Sequence, residues 1–94
     1  MLTPTLKDTF IKVLTDMKLY KEGRDELDVD TDLIEITHSN GKIYSFYFDP
    51  AHTNVEGPAF ELSFIDDQGK KTRAIIHSET DEADIRSAIR KAFM

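Results

Sequence analysis

Between Leu33 and Phe48 the chain reads LIEITHSNGKIYSFYF, two runs rich in β-branched and aromatic residues on either side of Asn40-Gly41. That pattern predicts an antiparallel β-hairpin. A two-residue loop pairs Ser39 with Lys42. It gathers Ile34, Ile36, Ile43 and Tyr47 on one face and Leu33, Tyr44, Phe46 and Phe48 on the other, so neither face is polar. A three-residue loop, Ser39-Asn40-Gly41 with Gly41 left-handed, pairs His38 with Lys42. It then puts Ile34, Ile36, Tyr44, Phe46 and Phe48 together, opposite Glu35, Thr37 and Ser45. A one-residue slip turns every side chain over, so burial selects the register that separates the faces. The three-residue loop is therefore expected.

The same reading extends outward. Residues 59–65 alternate with Phe60, Leu62 and Phe64 on one side, Asp67-Gln68-Gly69 forms a second three-residue turn, and 71–77 return with Ala74 and Ile76 opposite Leu62 and Phe60. Before the hairpins, Leu6, Phe10, Val13, Leu14, Met17 and Tyr20 fall on a stripe at helical spacing. They predict a helix over 4–22. Pro4 suits its first turn, Thr5 and Asp8 have the form of a capping box, and Gly23 is a natural stop. The chain closes with a helix over 81–93, whose stripe is Ile85, Ala88, Ile89, Ala92 and Phe93 and whose cap is Ser78 or Thr80. Residues 24–32, RDELDVDTD, alternate, but Asp is a poor strand former, so they read mostly as loop. Asp49-Pro50 ends the second strand, and Gly57-Pro58 closes a long loop.

The expected order is helix, four antiparallel strands, helix, with both helices on one sheet face. That is a two-layer α+β sandwich in one domain spanning 1–94. Its core is Phe10, Leu14, Met17, Ile34, Ile36, Phe46, Phe48, Phe60, Leu62, Phe64, Ile85 and Ile89.

Composition narrows the function more than it names it. Hydrophobic and charged residues make up 39% and 32% of the 94, the balance of a folded domain. A net charge of −6 argues against direct binding to nucleic acid or anionic membrane, which needs Lys and Arg on phosphates. With no cysteine there is no disulfide framework, thiolate metal site or Cys nucleophile. No apolar run resembles a signal peptide or a membrane span, so a cytoplasmic location is expected.

Candidate chemistry is sparse. Asp28, Asp30 and Asp32 open like a calcium loop, but its sixth position is Leu33 instead of Gly and its twelfth is Ser39 instead of Glu. His38, His52 and His77 lack the spacing of a local metal site. No metal, cofactor or catalytic residue is expected, and the chain reads as non-enzymatic.

Surfaces carry the rest. The outer sheet face holds Leu33, Ile43, Tyr47, Ile65 and Ile75 in a polar background of Glu35, Thr37, Ser45, Glu61, Ser63, Lys71 and Arg73. It reads as the contact surface of a small interaction or regulatory module, for a protein partner or a homodimer. An alternative is an acidic inhibitor of the phage type, a nucleic-acid mimic. In that reading Asp25, Glu26, Asp28, Asp30 and Asp32 occupy the basic groove of a DNA- or RNA-binding protein. A further alternative is a small ligand-binding protein or enzyme that uses Asp49 and His52 of the 49–58 loop.

Overall fold

The computed structural model describes residues 2–50 and 60–93. Its order is α1 (Pro4–Asp16), β1 (Glu26–Val29), β2 (Leu33–Thr37), β3 (Ile43–Pro50), β4 (Phe60–Ile65), β5 (Lys71–Ile76) and α2 (Glu82–Phe93). The strands form one antiparallel meander, β1-β2-β3-β4-β5. The α+β class expected from the sequence is therefore right, with five strands where four were expected. Among the described residues, no helix is long and apolar enough to cross a membrane.

The extra strand is β1, inside the segment read as loop. Leu27 lies opposite Ile36 and Val29 opposite Ile34, and Leu27 packs against the core. The alternation that Leu27 and Val29 share with the sheet outweighs the poor strand propensity of aspartate. What the propensity scale ranks is fit to a pleated surface, and here Leu27 supplies that fit by packing on the core, while Val29 stays exposed at the sheet edge.

Both hairpins take the expected register. His38 N–H donates to the Lys42 carbonyl at 2.8 Å and Asp66 N–H to the Lys70 carbonyl at 3.0 Å. Gly41 and Gly69 sit at φ 88° and 82°, the left-handed backbone that closes a three-residue hairpin loop.

The helix ends differ from the expected ones. Thr3, not Thr5, caps α1: its hydroxyl accepts from Leu6 N–H at 3.1 Å, with Pro4 following directly. α1 stops at Asp16, well before Gly23. Lys18 takes φ 61°, Leu19 N–H donates to the Leu14 carbonyl and Lys18 N–H to the Thr15 carbonyl, both at 3.0 Å. This is a Schellman ending with lysine where glycine is usual, and it was invisible because Met17 and Tyr20 prolong the apolar stripe. α2 is capped by Asp81, which accepts from Ala83 and Asp84 N–H, and not by Ser78 or Thr80; the Ser78 hydroxyl instead accepts from Thr80 and Asp81 N–H.

Both helices cover one face of the sheet. Phe10 of α1 sits edge-on to Phe46 and Phe48, with ring centroids 5.2 and 4.9 Å apart. Ile85, Ala88, Ile89 and Ala92 of α2 are buried in the same cluster. Every expected core residue is buried except Met17, which lies past the helix end and is partly buried.

Candidate functional site

With both helices on one side, the other face of the sheet is left to the side chains that alternate outward. The register fixes their neighbours. Glu26, Thr37 and Ile43 share one row across the strands. Asp28, Glu35, Ser45, Ile65 and Lys71 share the next, and Leu33, Tyr47, Ser63 and Arg73 the third. Asp49, Glu61 and Ile75 make the fourth.

The five apolar residues expected here all face outward, but not as one patch. Leu33 and Tyr47 are direct neighbours, Ile43 lies diagonal to Ile65, and Ile75 stands apart beyond Glu61. Ile43 and Tyr47, both on the central strand β3, are the most exposed at 45% and 37%. Ser63 is only 3% exposed, a small residue between Tyr47 and Arg73 in its row.

Charge on this face is sorted by strand. β1 and β2 supply Glu26, Asp28 and Glu35, and β5 supplies Lys71 and Arg73; Asp49 of β3 and Glu61 of β4 add acid at one end of the face, Glu61 beside Arg73. Asp28 and Glu35 are direct cross-strand partners, an arrangement that like charges disfavour. The Glu35 carboxylate accepts from the Ser45 hydroxyl at 3.3 Å, and Arg73 Nε reaches Glu61 Oε1 at 3.4 Å. The acidic side needs β1 as a strand; the alternation in 24–32 already points to a short edge with one acidic face, and reading the segment mostly as loop sets that aside.

The acidic residues of 25–32 do not form one group. Glu26, Asp28, Asp30 and Asp32 are exposed, whereas the Asp25 side chain is wholly shielded. Asp25 accepts from Arg24 Nε at 3.0 Å and Nη2 at 2.8 Å, Lys21 N–H at 3.0 Å and Ser39 N–H at 3.3 Å, with His38 Nδ1 at 3.5 Å. The paired Arg24 guanidinium, with the two backbone N–H groups, holds its carboxyl well below the usual carboxylate range against the opposing effect of burial. Asp25 thereby ties the α1–β1 connector to the β2–β3 turn.

Asp84 does similar work at the start of α2, accepting from His77 and Ser78 N–H at 2.6 and 3.2 Å and facing His77 Nδ1 at 3.2 Å. This pair lines an open cleft of about 600 Å³ between β5 and α2, with Arg73, Ile75, Ser87 and Lys91. Of the other histidines, His38 packs edge-on to Tyr44 and His52 lies outside the described residues. So does most of the 49–58 loop, of which Asp49 is seen on β3. Among the described residues, no three His, Asp or Glu side chains converge as a metal site would require. Comparison with protein-family models, curated proteins and solved structures finds no match to this chain.

Proposed function

We propose that this protein is a non-enzymatic interaction module that contacts another protein through the outer face of its sheet. The observation that carries the reading is the sheet's one-sided cover: helices bury one face, while Ile43 and Tyr47 stand exposed on the central strand of the other. A tyrosine and a β-branched residue on a rigid strand can anchor a contact with little loss of side-chain freedom, and charges at the flanks suit a hydrated rim. The hydrogen bonds of Asp25 and Asp84 to backbone N–H groups give those carboxylates structural work, which favours this reading over a catalytic one.

The test is capture from source lysate, followed by reconstitution of the purified pair, with wild type and Tyr47→Asp side by side. Expected is a stoichiometric partner retained at high salt and lost in Tyr47→Asp, whose melting is unchanged. A partner bound equally by Tyr47→Asp overturns the reading. The acidic-inhibitor reading gains one observation: β1 brings Glu26 and Asp28 beside Glu35, with Asp30 and Asp32 exposed in the turn that follows. A contact of that kind is screened, so its partner is expected to dissociate as salt rises and to be lost in Asp28→Lys.

A further inference from the structure

We infer that the occupant of the outer face is a second copy of this chain, packed face to face about a two-fold axis running along β3. The inference rests on the outer face being the contact surface and names its partner.

The reason is the order of charge across the strands. Acid lies at one edge, Asp28 and Glu35 on β1 and β2; base lies at the other, Lys71 and Arg73 on β5, where Glu61 of β4 pairs with Arg73 and, among the described residues, leaves Lys71 the unpaired cation of the two. Between them β3 presents Ile43, Ser45 and Tyr47. A two-fold axis along the central strand turns one copy so that its β5 lies over the partner's β1. Lys71 then faces Asp28 of the partner copy, since both occupy the same row, and Arg73 faces the turn holding Asp30. Ile43 and Tyr47 fall on the axis, each against its own copy. An axis across the strands would instead set acid on acid. The two edges of the face are thus complementary in one orientation, as a closed two-fold contact requires. Strands from the two copies run nearly aligned, the common way for sheets to stack, and sheet twist splays the ends, where Asp49 would meet its own copy.

The size of the face sets the strength. Five strands about 4.8 Å apart, with roughly six residues at about 3.3 Å each, give a face of roughly 19 by 20 Å. Two such faces come to roughly 760 Å², below the size of a stable specific interface and in the range of weak, transient ones, so the dimer is weak and concentration-dependent. The unfavourable Asp28–Glu35 pairing is relieved when the partner's Lys71 approaches it.

The experiment is sedimentation of the full chain over a concentration series, with two charge-reversed variants: Asp28→Lys with Glu35→Lys, and Lys71→Glu with Arg73→Glu. Expected is a wild-type monomer–dimer equilibrium that salt weakens but does not abolish, because the Ile43 and Tyr47 contacts on the axis are not screened. Each variant alone should weaken it at least about tenfold, since like charge then faces like at both flanks. Mixing the two should restore a dimer, because the lysines placed at 28 and 35 in the first variant then lie over the glutamates placed at 71 and 73 in the second, while the first variant's Lys71 and Arg73 lie over the second's Asp28 and Glu35. These positions are exposed or at the sheet's flanks, and melting checks each fold; the salt dependence of wild type stands as a test that needs no variant. A wild type that stays monomeric throughout overturns the inference while leaving the outer-face reading to the Tyr47→Asp capture. A dimer untouched by either reversal and by Tyr47→Asp overturns both.

Discussion

Glu35→Gln should stabilise the protein, although it deletes a charge from a hydrogen-bonded carboxylate. Glu35 lies directly opposite Asp28 on the outer face. Side chains so placed have Cβ atoms about 4.5–5.5 Å apart. With the two charges about 6 Å apart in a water-like dielectric, their repulsion is about 0.7 kcal/mol, and roughly half that at physiological salt. Glutamine removes this repulsion and keeps an oxygen to accept from the Ser45 hydroxyl. The gain of about 0.3–0.7 kcal/mol should raise Tm by about 1–5 °C for a chain of this size. Thermal melting by circular dichroism at about 20 mM and about 1 M salt, where the screening length falls to about 3 Å, separates this effect from others. The gap between variant and wild type should be widest at low salt and nearly closed at high salt. A variant no more stable than wild type at low salt, or a gap indifferent to salt, would refute the pairing of Asp28 with Glu35 and with it the placement of β1.

Three further outcomes follow from other parts of the fold. Lys18→Gly should stabilise by about 0.5–1 kcal/mol in urea unfolding, because Lys18 holds a left-handed backbone at the end of α1 that glycine adopts without strain. Leu62→Ala, in the fully buried middle of β4, should cost about 2–5 kcal/mol in the same assay, a large share of a stability on the order of 5–14 kcal/mol. Asp25→Asn should lower Tm at neutral pH. Because the folded Asp25 carboxyl titrates below its unfolded value, the stability it contributes is complete above the ordinary aspartate pKa of about 3.9 and fades as pH falls below it. The Tm difference from wild type should therefore shrink on acidification below that point; a difference that holds constant would mean that the ionised carboxylate is not what stabilises the turn.

The sheet was readable where burial and turn chemistry agree. Only one register of the 33–48 hairpin separates Ile34, Ile36, Phe46 and Phe48 from Glu35 and Ser45, and Gly41 supplies the backbone that register needs. The same held for Gly69 and the second hairpin. β1 was missed because its outward residues are Glu26 and Asp28, whose low strand propensity outweighed the alternation of Leu27 and Val29, and of these two only Leu27 packs on the core. The end of α1 was missed because Lys18 does at a helix end what glycine usually does, and no pattern of apolar residues marks that. The outer face was legible residue by residue, but its sorting of charge was not, since that depends on how five strands line up. Asp25 looked like one acid among several; only folding brings Arg24, Lys21 and Ser39 around it.

The isoleucine methyls report most directly on whether the outer face makes the contact. Ile43, Ile65 and Ile75 point outward, Ile34, Ile36, Ile76, Ile85 and Ile89 are buried, and Ile11 lies on the helical side. Methyl NMR of isoleucine-labelled protein, followed as protein concentration rises and again as a captured partner is added, reads all of these at once. Contact through the outer face predicts shifts and broadening at Ile43 and Ile65, less at Ile75, and none at Ile11. Changes centred on Ile11, with Ile43 and Ile65 unmoved, would place the contact on the helices and contradict it.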